Sequence, residues 1–171
     1  MPRRPCLRHA ILAASLAGGL LALQVQTASA LTPPTQPPEE RARQRLLPQS
    51  SDPIWLTLAH TRVESDLARG VFVADHPPEV RALDGREVSI SGFMLSTDPM
   101  GFSTDFILTR YTPVCAFCPP GAPNEAVQVT LRRVITPIRG LITVRGRLHL
   151  EKDATSGLFF RLDGAEIIAR P

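Results

Sequence analysis

From residue 87 onward the chain alternates apolar and polar positions with a period of two. In 87–95 Val88, Ile90, Gly92 and Met94 share one face, with Ser89 and Ser91 on the other. In 126–132 Val127, Val129 and Leu131 alternate with Gln128, Thr130 and Arg132. In 141–150 Ile142, Val144, Gly146, Leu148 and Leu150 face away from Thr143, Arg145, Arg147 and His149. Two further runs complete the set: 105–110 with Phe106, Ile107 and Leu108, and 158–169 with Phe159, Phe160, Leu162, Ile167 and Ile168, interrupted at Asp163-Gly164. Such alternation marks strands with one buried and one wet face, and hence antiparallel sheet. Five strands, with no helix between the last four, predict a mainly β fold: a small five-stranded antiparallel OB-like barrel, with an open β-sandwich as the alternative. Gly92 and Gly146 fall mid-strand on the inward face, where a barrel coils sharply or two backbones approach.

Upstream the period lengthens. Trp55, Leu58, Ala59, Val63 and Leu67 recur at spacings of three and four, with Asp52 able to cap, Pro53 suited to the first helical position and Gly70 to the position past the end. The spacing predicts one N-terminal helix over 53–69, anchored in the core by Trp55, with His60 at the edge of its apolar stripe. Residues 71–78 read as a short extended piece, and Leu83-Asp84-Gly85-Arg86 as an Asp-Gly turn. Residues 31–51, with their proline pairs and few apolar positions, read as a flexible Pro-rich linker, so the folded domain is expected over 52–171.

Residues 1–30 have the three parts of a secretory signal peptide: Arg3, Arg4 and Arg8, then an apolar stretch over 10–23, then Ala28-Ser29-Ala30 as a small-x-small cleavage site. Cleavage after Ala30 predicts an exported, periplasmic chain with no transmembrane segment left. The adjacent arginines also fit a twin-arginine export signal loosely. Charge changes with this reading. The whole chain has 19 Lys+Arg and 16 Asp+Glu, but three arginines and no acids lie in 1–30, which leaves 16 of each sign. A balanced chain lacks the basic footprint of sequence-independent nucleic-acid binding, so nucleic acid is dropped as a partner.

The candidate chemistry sits in 111–129, where Cys115 and Cys118 stand in a proline-rich loop with Tyr111, Phe117, Pro119, Pro120 and Asn124 as its surface. Three readings are open. An oxidising compartment favours a local disulfide that shapes the loop. Two thiolates at this spacing also form half of a tetrahedral zinc site, for which His76, in a Pro-flanked loop, is the best third ligand; His60 and His149 fit solvated surface positions better. Thiol-disulfide exchange would need the first cysteine at a helix N-terminus, whereas Pro119-Pro120 push Cys118 away from helix. Asp98, Asp105 and Glu125 read as a solvated rim. No nucleophile-elbow, metalloprotease or phosphate-loop motif is present. The residues thus favour a non-catalytic binding module, with a thiol-disulfide oxidoreductase using Cys115 and Cys118 as the alternative.

Leu83-Asp84-Gly85-Arg86-Glu87-Val88-Ser89-Ile90-Ser91-Gly92-Phe93-Met94-Leu95 resembles the opening of the exported bacterial DUF3299 family. The likeness continues through Phe106-Ile107-Leu108, Cys115-x-x-Cys118 with its trailing prolines, Val127-Gln128-Val129 and Val144-Arg145-Gly146-Arg147-Leu148. It covers about residues 54–169. The chain departs from the pattern at Ser96, where a proline is expected, and at Gly121-Ala122, which loosens the proline string. The resemblance implies export and an accessory role beside an ABC-type transport system linked to metal supply.

Overall fold

A computed structural model of the protein describes residues 37–98, 101–114 and 121–170. Five strands close into a barrel: β3 (Glu87–Ser96), β4 (Ser103–Thr109), β5 (Ala126–Ile135), β6 (Leu141–Leu150) and β8 (Phe160–Ala169). Their order around the barrel is β3-β4-β5-β8-β6, and β6 closes back onto β3. The OB-like barrel expected from the alternation is therefore the fold. One pairing corrects its purely antiparallel description: β5 and β8 run parallel, with Gln128 opposite Arg161 and Leu131 opposite Ala165. Alternation reports which face is buried and is blind to strand direction, so it could not distinguish the two.

Most of the predicted inward positions are buried, although Val88 and Met94 are only partly so, Phe93 and Leu95 on the other face of β3 are buried as well, and Ile168 is exposed. Ile90, Phe106, Leu108, Val127, Val129, Ile142, Val144, Leu148, Phe160 and Leu162 are each at most 1% exposed and form one core. Gly92 shows why a barrel needs glycine at such a place. A Cβ there would lie 2.7 Å from the Thr109 carbonyl oxygen and 2.8 Å from a Leu108 side-chain carbon, so only a bare backbone lets β3 and β4 approach this closely.

The long helix over 53–69 is not formed. The chain makes a single-turn helix, α2 (Ile54–Leu58), and then a hairpin of β1 (Arg62–Asp66) and β2 (Val71–Asp75). Gly70, expected past a helix end, closes the hairpin turn at φ +67°, where Asp66 Oδ1 also accepts from the Arg69 backbone N–H at 3.1 Å. Tertiary pairing decides the matter. β2 finds β1 on one side and the two-residue β7 (Asp153–Ala154) on the other, and Phe72, Ala74 and Phe159 form a second small core there. A strand partner outweighs the weak preference that a three-four spacing expresses. Trp55 is the core anchor expected, fully buried, with Nε1 donating to the Ser91 carbonyl at 2.7 Å. Asp52 does cap: Oδ1 accepts from Ile54 N–H at 3.1 Å, and Oδ2 accepts from Ser91 N–H at 2.8 Å, locking α2 to β3.

The linker reading also needs correction at its C-terminal end. Residues Pro38–Gln44 form a helix, α1, and Gln44 and Ser50 are buried. A further short helix, α3 (Pro78–Arg81), follows β2, and its Val80 joins Trp55 and Leu58 in the main core. Residues 1–36 lie outside the described residues, and so does the signal peptide expected there. Among the described residues, no helix is long and apolar enough to cross a membrane.

Candidate functional site

Cys115, Phe117, Cys118, Pro119 and Pro120 lie outside the described residues. What the structure does describe is the frame around them: the stem that leaves β4 at 110–114 and the stem that enters β5 through a 3-10 turn, Pro123–Glu125. The two stems meet directly, because Arg110 N–H donates to the Glu125 carbonyl at 3.1 Å. Thr109, itself fully buried, reaches the Tyr111 carbonyl with its hydroxyl at 2.7 Å.

α1 then clamps both stems from outside. Arg41 forks onto Glu125, with Nη2 2.8 Å from Oε1 and 2.6 Å from Oε2, and its guanidinium lies 4.3 Å over the Tyr111 ring. Gln44 donates to the Thr112 carbonyl at 3.1 Å and accepts from Arg41 at 3.3 Å. Pro48 accepts from both the backbone and the hydroxyl of Thr112, and Ser50 N–H donates to the Arg110 carbonyl at 2.8 Å. Glu125 Oε2 also accepts from Ala122 N–H at 2.9 Å, which fixes the second stem's turn. Gly121 stands against this pair at φ +146°. A Cβ there would be 2.9 Å from Glu125 Oε2 and 3.2 Å from Arg41 Nη1, so the residue is glycine for want of both space and an allowed backbone.

Of the residues singled out in the sequence, Tyr111 and Asn124 belong to this frame. Tyr111 is held between Arg41 and Arg110, the latter 5.4 Å from the ring centroid. Asn124 is a tether more than a presented surface: its amide donates to the carbonyls of Ala59 at 3.0 Å and Thr61 at 3.2 Å, tying the second stem to the segment after α2.

His76 is 8% exposed and both ring nitrogens are engaged. Nε2 meets the Glu151 carbonyl at 2.9 Å, an acceptor only, so that nitrogen carries a hydrogen; Nδ1 meets the Thr61 hydroxyl at 3.1 Å. The ring also packs against Phe160 at 5.6 Å, and Arg81 donates to the His76 carbonyl. A metal at His76 would have to displace one of these bonds. His60 faces Glu79 at 3.0 Å with both side chains largely exposed, and His149 lies 3.7 Å from Asp163. The Glu79 carboxyl is held below its ordinary range, first by a backbone N–H of its own helix start and then by His60. Among the described residues, no three His, Cys, Asp or Glu side chains gather as a metal-binding group.

Sequence reasoning missed Arg41, Gln44 and Thr61, and misread Glu125, which is buried and paired and not part of a solvated rim. A signal existed for Glu125 in its place three residues after Ala122, the spacing of a side chain that turns back to cap. None existed for Arg41, whose partner lies 84 residues away.

No curated protein matches the chain. The 2.45 Å crystal structure of a DUF3299 family protein from Pseudomonas aeruginosa PAO1 is similar to it with a TM-score of 0.43 and 24% identity, over 55% of this chain and 68% of that one. The DUF3299 family model, described as a protein of unknown function, matches residues 29–159, and the chain belongs to that family.

Proposed function

We propose that the protein is an exported, non-catalytic binding module that presents the segment between the two stems, with Cys115 and Cys118, to a protein partner. The observation that carries this reading is the clamp. Both stems are fixed by charge-assisted and backbone hydrogen bonds from α1, Pro48, Ser50 and the α2 end, an outlay of buried polar contacts that a mere strand connection does not need. Stems held this way lose little conformational freedom when a partner binds at them. Residues 1–30 support export, and the oxidising periplasm supports a disulfide between Cys115 and Cys118 that closes the segment from within. With both nitrogens of His76 occupied, a zinc-thiolate site would have to recruit other ligands. The family resemblance points to a periplasmic component of an ABC-type transport system linked to metal supply as the partner.

Intact mass spectrometry of protein purified from the periplasm without chelator, before and after thiol alkylation, tests the chemistry. A mass two hydrogens light with no alkylation is expected, and a stoichiometric zinc adduct with both thiols alkylated after acid would replace the disulfide with a metal site. The functional reading is tested by Cys115→Ser and Cys118→Ser. Both variants should keep the folded barrel and leave no redox turnover to lose, whereas a mixed disulfide trapped by Cys118→Ser would establish an oxidoreductase instead.

A further inference from the structure

The two ends of the barrel differ in chemistry. Strand pairing gathers the end of β3, the start of β4, the end of β5, the start of β6 and the end of β8 at one end. The described stems 110–114 and 121–125 stand at the opposite ends of β4 and β5, and so at the other. The end away from them carries four large apolar side chains in water: Phe102 is 64% exposed, Val134 63%, Ile168 45% and Leu141 42%.

The same end carries Arg132, Arg133, Arg139 and Arg170, all exposed. Among the described residues, Arg133, Arg139 and Arg170 have no carboxylate partner, and Arg132 gives its Nε–H to the Gly164 carbonyl at 2.7 Å. The acids nearby are engaged. Glu166 is paired with Arg145 and also attracts Arg132, and Asp105, which accepts from the hydroxyls of Thr104 at 2.8 Å and Thr130 at 2.6 Å, and Asp98 keep their negative charges at this end. Arg132, Arg133, Arg139, Arg145 and Arg170 still outnumber Asp98, Asp105 and Glu166 at this end, and because residues 31–171 hold equal numbers of both signs, that local excess makes the molecule dipolar. Between β5 and β8 a cleft of about 380 Å³ opens where their pairing stops at Leu131 and Ala165, lined by Ile135, Ile167, Arg132, Arg133, Arg170 and Glu166.

We propose that this end of the barrel docks on an anionic phospholipid bilayer. Guanidinium groups would sit at the level of the phosphates, while Phe102, Val134, Leu141 and Ile168 enter the acyl boundary below them. Charge complementarity and protruding apolar side chains belong together only at such a boundary. An acidic protein segment lying in the β5–β8 cleft would not need Phe102, which stands in the β3–β4 loop, or Arg139, which stands in the β5–β6 loop. Docked so, the module turns the stems 110–114 and 121–125 away from the lipid.

The test is co-sedimentation with vesicles of equal parts phosphatidylglycerol and phosphatidylcholine, against pure phosphatidylcholine, using the chain from Leu31, which keeps every described element and lacks the apolar 10–23 stretch. Binding to the anionic vesicles and its loss toward high salt are expected. Arg133→Gln/Arg139→Gln/Arg170→Gln should weaken partition roughly a hundredfold, about fivefold per charge removed. Phe102→Ser/Val134→Ser should weaken it at least about tenfold. Arg43→Gln/Arg45→Gln/Arg62→Gln, which removes the same charge elsewhere on the surface, should leave most of the binding intact. Equal loss in that control, equal binding to neutral vesicles, or retention by polyglutamate but not by vesicles would each overturn the proposal, the last in favour of an acidic protein.

Discussion

Removing Arg41 is the sharpest test of the clamp. The ion pair with Glu125 is close, with Nη2 to Oε2 at 2.6 Å, and its side chains are only 21% and 10% exposed. Two unit charges about 4 Å apart attract by roughly 4 kcal/mol at an effective dielectric of about 20, before the desolvation both have already undergone. In Arg41→Ala the Glu125 carboxylate keeps one donor, Ala122 N–H, and water must reach a largely buried site. A fully buried pair broken this way costs about 3–5 kcal/mol; with Arg41 one fifth exposed, about 2 kcal/mol is the expected share. Loss of the guanidinium over Tyr111 adds about 0.5 kcal/mol. In urea, with a slope of about 2 kcal/mol per molar for a domain of this size, the midpoint should fall by roughly 1.2 M with the slope unchanged. A double-mutant cycle with Glu125→Gln isolates the pair and should return a coupling of about 1.5 kcal/mol. Release of the two stems should become about seventyfold more frequent, visible as faster proteolysis between residues 111 and 124. A coupling below about 0.5 kcal/mol would mean a solvent-screened surface pair and would refute the clamp.

Three other outcomes are expected. Gly92→Ala places a methyl 2.7 Å from the Thr109 carbonyl oxygen and should destabilise the barrel by about 1–3 kcal/mol, measured by thermal or urea unfolding; a neutral effect would mean that β3 and β4 are free to separate. His76→Leu removes both ring hydrogen bonds and should cost about 1–3 kcal/mol while leaving the metal content of the purified protein unchanged, and a loss of bound zinc would make His76 a ligand after all. The carboxyls of Asp153 and Glu166 are held below their ordinary range, in each case first by a hydrogen bond from the facing guanidinium, Arg69 and Arg145. A depressed folded value means a contribution that is complete above the ordinary carboxylate range and is lost as the pH falls through it, so Tm should drop below about pH 4. Arg69→Gln/Arg145→Gln should flatten that acid limb, and an unaltered limb would assign it to other groups.

The alternation after residue 86 was enough to place the five strands, with a barrel as the first expectation, because period-two burial is a local property that each strand expresses without its neighbours. Trp55 and the Asp52 cap were legible for the same reason, since a short apolar spacing and a capping side chain act within one turn. Over 59–69, the same local evidence suggested a longer helix, and there a distant partner prevailed: β1 exists because β2 pairs with it, and β2 is held on its other side by β7. The loop with Cys115 and Cys118 could be picked out from its composition, but the pieces that hold it could not. Arg41, Gln44 and Pro48 come from a stretch that looks like linker, and they acquire their role by meeting Glu125, Tyr111 and Thr112 across more than sixty intervening residues. The parallel direction of β8 against β5 is of the same kind. Local pattern determines which faces are buried, and only the closed chain decides which strand, which stem and which charge is brought against them.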